Sequence, residues 1–361
     1  MIVGVLGGGQ LGRMLALAGY PLGLRFRFLD PAADAPAGHL GELIVGDYGD
    51  PLALERFAVD LQVVTYEFEN VPVQCARELA RRVAVSPPPE ALETAQDRLL
   101  EKTFFQKLGV PTPPFAPVDS PDDLLGAIGR LGLPAVLKTR RLGYDGKGQR
   151  VIGTRQEAEA AWTGLGRGPL LLERFVPFER EVSILAVRSS GGATAFYPLV
   201  ENHHREGILR LSLAPAPRLT RDLQAQAEAC AARVLESLEY VGVLAIELFE
   251  HGGHLLANEM APRVHNSGHW SIEGAETSQF ENHLRALLGL PLGSTAARGH
   301  SATLNLIGAI PDPAVVLAVP GARLHLYGKA PRPRRKLGHV TVTADDPAAL
   351  RVRVDEITAL T

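Results

Sequence analysis

The 361-residue chain lacks any apolar run of the roughly 18 residues a membrane-crossing helix needs, so no membrane span is expected. It has only two cysteines, Cys75 and Cys230, far apart in sequence, which leaves room for at most one disulfide and fits a reduced, cytoplasmic protein better. It also lacks a basic excess. With 37 Lys and Arg against 40 Asp and Glu, the net charge is −3 and the pI near 6.4, unlike a nucleic-acid-binding protein. There is no basic leader, since Met1–Leu6 runs directly into Gly7-Gly8-Gly9 and reads as a first strand rather than a signal peptide. Internal repeats and low-complexity tracts are missing as well. What remains is an ordinary globular composition, 46% hydrophobic and 21% charged, on a chain long enough for two or three domains.

The first ninety or so residues alternate strand and helix signals: Ile2–Leu6, a helical pattern over Gln10–Gly19, then strands at Arg25–Leu29 and Gln62–Tyr66. This predicts a parallel sheet with crossover helices over residues 1–90. Ser86-Pro87-Pro88-Pro89 breaks the pattern at a domain boundary. Asp97–Leu108 reads as a helix stopped by Gly109 and Pro111, and a second block of strands and helices fills residues 91–290. Residues 291–361, with Thr303–Ile310, Arg323–Tyr327 and Val340–Thr343, read as a small β-rich domain.

The most informative stretch is Val241–Phe249 and His254–Met260, two apolar strands around Gly252-Gly253. It carries Glu247 and Glu259, followed by Arg263, His265 and Asn266. An odd-numbered loop would place both glutamates on one face, and a slip of one residue would separate them. Two carboxylates in an apolar hairpin repel and lose solvation unless a proton or cation lies between them. Magnesium, which takes few protein carboxylates together with phosphate oxygens, suits two Glu and Asn258. The alternative is a pair of solvated surface glutamates.

Two glycine-rich loops are candidates for binding phosphate. Gly7-Gly8-Gly9-Gln10-Leu11-Gly12 follows a strand and opens a helix, as a dinucleotide loop does, with Asp30 at a later strand end. Its glycines imply only a tight turn and helix N–H groups facing an anion, or a bare turn with no ligand. The second loop, Gly143–Gln149, joins a strand ending in Lys138 to another at Arg150–Ile152. It is therefore a flap between hairpin strands and not a Walker-type loop leading into a helix. With Lys138, Arg140, Arg141 and Lys147 around it, the flap can lie over a polyphosphate and exclude water. Leu170–Glu173, a Pro-marked crossing and Arg180–Ser183 form a further strand–crossing–strand unit. Its bare backbone could meet a flat base, with Glu181 beside it for ribose hydroxyls.

Taken together, these features resemble the ATP-grasp superfamily, and within it the 5-(carboxyamino)imidazole ribonucleotide synthetases, over essentially the whole chain. The resemblance is carried by residues 7–14 (GGGQLGRM), 65–70 (TYEFEN), 138–149 (KTRRLGYDGKGQ), 258–269 (NEMAPRVHNSGH) and 335–339 (RKLGH). It implies an ATP-grasp fold between an N-terminal Rossmann-like domain and a small C-terminal domain. The implied reaction carboxylates 5-aminoimidazole ribonucleotide with bicarbonate and ATP through carboxyphosphate, in a cytoplasmic homodimer. By matching motifs, ATP would be held by Arg98, Lys138, Gly143, Tyr144, Asp145, Gly146, Lys147, Gly148 and Gln149. Glu173, Arg174, Phe175 and Val176 would meet adenine, Glu181 ribose, and His204 the nucleotide region. Glu247 and Glu259, helped by Asn258, would bind Mg2+ or Mn2+. Arg263, His265 and Asn266 would position bicarbonate, and Asp145 would steer or deprotonate the amine. Lys329, Arg335 and Lys336 would grip the ribonucleotide phosphate, with Gln10, Leu11 and Tyr144 close by. Where the family often has Gly between Pro and Arg, this chain has Arg334, so either Arg334 or Arg335 could reach the phosphate. His203 beside His204 is a similar ambiguity.

Three rival readings remain. A formate-using ATP-grasp transformylase fits poorly with the 263–269 run and the basic C-terminal motif. An NAD-dependent oxidoreductase rests on the first glycine loop alone. A nucleotide sensor without turnover conflicts with the intact Lys138, Glu247, Glu259 and Arg263.

Overall fold

The computed structural model describes residues 1–143 and 146–360. The N-terminal sheet consists of β1 (Ile2–Leu6), β2 (Arg25–Asp30), β3 (Glu42–Val45), β4 (Val63–Tyr66) and β5 (Ala84–Val85), all parallel in the order β3-β2-β1-β4-β5. Val3, Val5 and Leu6 are fully buried, as expected of a central parallel strand with both faces covered. The helix Gln10–Gly19 packs Leu11, Met14 and Leu15 toward Phe280 and Leu284 of the helix Gln279–Leu287. That contact seats the first sheet on the body of the molecule.

A second sheet holds β6 (Phe115–Val118), β7 (Ala135–Thr139), β8 (Gln149–Ile152) and β9 (Leu170–Arg174) in the order β6-β9-β7-β8. The helices Pro121–Leu131 and Ala158–Gly164 cover it with Leu124, Ile128 and Trp162. The third sheet is the scaffold of the site. It contains β10 (Arg180–Arg188), β11 (Thr194–Phe196), β12 (Val200–Arg205), β13 (Ile208–Ala214), β14 (Gly242–His251), β15 (His254–Ala261), β16 (His300–Ile307), β17 (Ala322–Leu326) and β18 (Lys336–Ala344). The order is β15-β14-β10-β12-β13-β16-β18-β17, with β11 on β10. The β-strands of the last seventy residues thus continue the central sheet, and the helix Pro347–Thr358 backs them with Leu350, Val354 and Ile357. This continuity holds the basic segment around Lys336 in fixed register with the hairpin β14–β15. The helix expected over Asp97–Leu108 spans Arg98–Lys107, and Asp97 caps it by accepting from the Leu99 N–H at 3.0 Å. Among the described residues no helix is long and apolar enough to cross a membrane.

Candidate active site

A cavity of about 430 Å³ opens where the three sheets meet, walled by residues from the first glycine loop, the flap, β12, the β14–β15 hairpin and β18. The hairpin forms its floor. Its loop, Gly252-Gly253, holds two residues rather than the odd number that would align the glutamates, and it pairs His251 with His254. Continued without change, that register would set Glu247 opposite Asn258. A bulge beside Glu247 corrects it: Leu248 pairs with Ala257, but Glu247 pairs with Glu259. The extra residue is Asn258, so Glu247, Asn258 and Glu259 all reach the cavity.

The two carboxylates sit in different fields. Burial pushes the Glu247 carboxyl up, the Glu259 charge adds to it, and the result is about 7. Burial also opposes ionisation of Glu259, but Arg98, whose Nη1 lies 2.8 Å from Oε2, outweighs it and holds this carboxyl below the usual range. Lys138 Nζ donates to Glu173 Oε2 at 3.0 Å and to Asn258 Oδ1 at 3.3 Å. Fully buried Lys102 lies 3.4 Å from the same Glu173 oxygen. Glu101, pushed by burial and Glu259 to about 8, accepts from the Met260 N–H at 2.6 Å. No group of three or more His, Cys, Asp and Glu suited to a metal exists among the described residues. A cation between Glu247 and Glu259 would therefore complete its shell with Asn258, water and phosphate oxygens, which fits magnesium. It would also relieve the repulsion that raises Glu247.

The flap rises from β7 and β8, with Lys138 paired to Gln149 at its base. Gly143, Gly146, Lys147 and Gln149 line the cavity, while Tyr144 and Asp145 lie outside the described residues. Gly148 has φ +75°, and a Cβ there would come within 2.5 Å of Thr139 Oγ1. Of the expected adenine-contacting residues, Glu173 is buried against the two lysines. Arg174, by contrast, turns its Nε to the Leu131 carbonyl at 2.8 Å. Phe175 is exposed and Val176 partly buried, both off the cavity wall described above. Glu181 and His204 do line it and contact each other through Nδ1. Burial disfavours the imidazolium of His204, yet Glu181, Glu247 and Glu259 together raise its pKa. His203 turns instead to Glu201, 2.9 Å away.

Beyond the hairpin, Arg263, His265 and Asn266 all face the cavity. His265 Nδ1 is 2.9 Å from Ser267 Oγ, and its Nε2 is 3.4 Å from Glu247. Burial and the neighbouring Arg263 charge keep this imidazole well below its usual pKa, hence neutral. Both side-chain polar atoms of Asn266 are buried with no hydrogen-bond partner among the described residues, so they are available to a small polar ligand.

The first glycine loop does not face an anion from outside. Glu67 accepts from the N–H groups of Gly9, Leu11 and Gly12 at 2.7, 3.0 and 3.1 Å, and Asp30 accepts from Gly8 at 2.7 Å. The helix N-terminus is filled by the chain's own carboxylate, which corrects the expectation of open N–H groups. Gln10 and Leu11 still line the cavity, and the Gln10 side chain meets Lys329 Nζ. Lys336 lines the cavity as well. Arg335 donates from Nη1 to the Ala330 carbonyl at 3.1 Å. Arg334 turns to Glu206, with Nη1 3.2 Å from Oε2. Its φ of +62° also explains why glycine suits that position.

Sequence reasoning assigned no role to four residues near this site. Glu67 closes the loop and Glu69 holds Arg263, while His269 and His339, ends of two motifs, lie with ring centroids 4.8 Å apart and planes tilted by 37°. Their only sequence signal was membership of those motifs.

Known proteins match over the whole length. The ATP-grasp domain model covers residues 103–280, the ribonucleotide synthetase preATP-grasp domain 1–96, and the phosphoribosylaminoimidazole carboxylase C-terminal domain 301–353. The N5-carboxyaminoimidazole ribonucleotide synthase of Pseudomonas aeruginosa is 57% identical over 360 residues, covering 100% of this chain and 99% of its own. The crystal structure of the Thermus thermophilus N5-carboxyaminoimidazole ribonucleotide synthetase is 64% identical with a TM-score of 0.97, covering 99% of this chain and 98% of that one. The Aspergillus clavatus synthase in complex with ADP and 5-aminoimidazole ribonucleotide superimposes with a TM-score of 0.91 at 32% identity, over 99% and 98% of the two chains.

Proposed function

The chain belongs to the N5-carboxyaminoimidazole ribonucleotide synthase family of ATP-grasp ligases, and from that premise we propose how its residues divide the work. The reaction is the ATP-dependent carboxylation of 5-aminoimidazole ribonucleotide with bicarbonate, in purine biosynthesis. A bicarbonate oxygen attacks the γ-phosphorus of ATP and ADP leaves. The resulting carboxyphosphate, or carbon dioxide released from it, is captured by the exocyclic amine, which loses a proton as phosphate departs.

One observation carries the assignment. A single cavity holds Glu247, Asn258 and Glu259 beside Arg98 and Lys138, and also Arg263, His265 and Asn266, and it extends to Lys336 and Gln10. Arg98, Lys138, Lys147 and the flap backbone hold the polyphosphate. Glu181 and His204 take the ribose side. Glu247 and Glu259, with Asn258, would hold magnesium, which would supply positive charge to offset that of the phosphate oxygens. Arg263 aims its donors at bicarbonate, while neutral His265 and the unpaired Asn266 amide orient it. Lys336, Lys329 and Gln10 receive the ribonucleotide phosphate. The flap excludes the water that would hydrolyse carboxyphosphate. Asp145, the residue that would steer the amine, lies outside the described residues. A cytoplasmic homodimer completes this reading, supported by the family resemblance and by two buried free cysteines.

ADP formation should require both bicarbonate and the aminoimidazole ribonucleotide, with no response to formate and no nicotinamide absorbance change. Glu259→Gln should lower turnover about 1000-fold with an unchanged fold, and near-normal rates would remove it from the metal site. Lys336→Ala should raise KM for the ribonucleotide at least about tenfold while leaving KM for ATP unchanged; equal effects would move Lys336 elsewhere.

A further inference from the structure

Glu69, a charged side chain that the N-terminal domain contributes to the cavity, has no part in the roles above, yet it grips the arginine on which they most depend. Glu69 lies in the loop after β4 and lines the cavity. Its Oε2 lies 2.6 Å from Arg263 Nε and 2.6 Å from Nη2, so one oxygen takes the side-on edge of the guanidinium. Arg263 Nη1 donates to the Val264 carbonyl at 3.0 Å. These contacts leave one N–H on each terminal nitrogen for a ligand. The Glu69 loop is itself held, because Gln96 Nε2 donates to the Glu69 carbonyl at 2.8 Å and to the Val71 carbonyl at 2.6 Å.

We propose that Glu69 is a positioning residue for Arg263, fixing its guanidinium so that the remaining donors meet the bicarbonate as it becomes carboxyphosphate. The proposal rests on the assignment of Arg263 given above. An arginine on a flexible stem, placed in a turn just past the end of β15, would sample many rotamers, and ordering it at the moment of reaction costs about 2 kcal/mol of side-chain entropy. Glu69 removes that cost beforehand. The pair's side chains are 14% and 28% accessible, sheltered enough to hold one geometry yet open to a ligand. Because only the side-on edge is claimed, Arg263 is oriented without being capped. The carboxylate also offsets part of the arginine charge, so bicarbonate is held without an excess of ground-state binding. The free donors are then aimed where negative charge grows in the transition state. The clamp joins two domains: Glu69 follows a strand of the first sheet, whereas Arg263 follows a strand of the third. The spacing between Gln10 and the hairpin is therefore tied to the aim of Arg263.

The test is a double-mutant cycle in the full-length enzyme, with kcat and KM measured for bicarbonate, ATP and the aminoimidazole ribonucleotide. Glu69→Gln should lower kcat about tenfold and raise KM for bicarbonate, leaving KM for ATP and the ribonucleotide within about twofold. Glu69→Asp, which keeps the charge, should recover part of the rate. In an Arg263→Ala background the Glu69 change should cost nothing further, since Glu69 acts only through that arginine. Additive losses, or a rise in ribonucleotide KM in both backgrounds, would overturn the proposal by making Glu69 a direct substrate contact. A lowered Tm with unchanged kinetics would overturn it too, leaving the pair as an interdomain strut. Normal turnover by Arg263→Ala alone would instead bring down the assignment of Arg263, and this proposal with it, an outcome visible before Glu69 is touched.

Discussion

The two glycine-rich loops are similar in composition and differ in what lies against them. In the first, Gly7–Gly12, the missing side chains make room for the protein itself. A Cβ on Gly9 would come within 2.2 Å of Glu67 Oε1, and one on Gly7 within 2.5 Å of Glu67 Cγ. The second, Gly143–Gln149, spans two strands of one hairpin with Gly143, Lys147 and Gln149 on the cavity wall. A glycine motif therefore reports only that something approaches the backbone closely. Whether that something is a ligand or another part of the chain depends on which acceptor reaches the N–H groups first. Here Glu67 does, which disposes of a dinucleotide at the first loop on physical grounds.

The largest expected effect comes from removing that acceptor. Glu67→Ala would strand the N–H groups of Gly9, Leu11 and Gly12, two of whose bonds to Glu67 are buried, at a cost of about 3 kcal/mol in unfolding free energy. Lys147→Ala, on the exposed flap, should leave stability unchanged and raise KM for ATP. Urea denaturation and initial rates measured on both variants sharpen the contrast. If instead Glu67→Ala unfolds normally but loses nucleotide affinity, the first loop is a ligand site after all.

An intermediate effect is expected at Gly148, where φ is +75° and a Cβ would strike Thr139 Oγ1. Gly148→Ala adds a left-handed backbone penalty of about 1–2 kcal/mol to that clash. It should cut kcat/KM for ATP at least about tenfold, with Tm lowered by no more than about a few degrees because the strain is confined to the flap. Equal loss of Tm would make the flap base a structural joint like the first loop.

Much of this was legible in the sequence because it was local. The strand over Ile2–Leu6, the helix over Gln10–Gly19, the strand ending near Lys138 and the hairpin around Gly252-Gly253 follow from apolar periodicity and turn residues. What the sequence hid was long-range. The bulge at Asn258 that turns a two-residue loop into the register needed by Glu247 and Glu259 has no local signature. Nor does the bond from Glu67 to Gly9, which spans 58 residues, or the clamp from Glu69 to Arg263, which spans 194. The merging of the C-terminal strands into the central sheet was equally hidden, since β16 pairs with β13 across the whole hairpin segment. Each arises only when tertiary packing brings distant residues together.

The smallest effect separates the carboxylates that serve the two loops. Glu67 is buried, and its pKa is raised by that burial, but backbone N–H groups satisfy it and it needs no cation. Glu247 is raised to about 7 by burial and by a second carboxylate, Glu259, directly across the hairpin. The sign follows from that difference. In the metal-free protein Glu247 holds its proton until about 7, whereas the unfolded chain releases it in the ordinary carboxylate range. This group therefore costs stability as pH rises from that range through about 7. A bound cation requires the ionised form, so its affinity moves the other way and weakens as pH falls through the same window. Between pH 7.5 and 6.5 one such proton should weaken magnesium-dependent ADP binding about threefold. Titrating magnesium against ADP at the two pH values, by calorimetry in buffers of different ionisation enthalpy, reads both the affinity and the proton released. A pH-independent affinity with no proton release would mean that Glu247 is already ionised before the metal arrives, and that the hairpin carboxylates, like Glu67 in the first loop, are electrostatically satisfied by the protein alone.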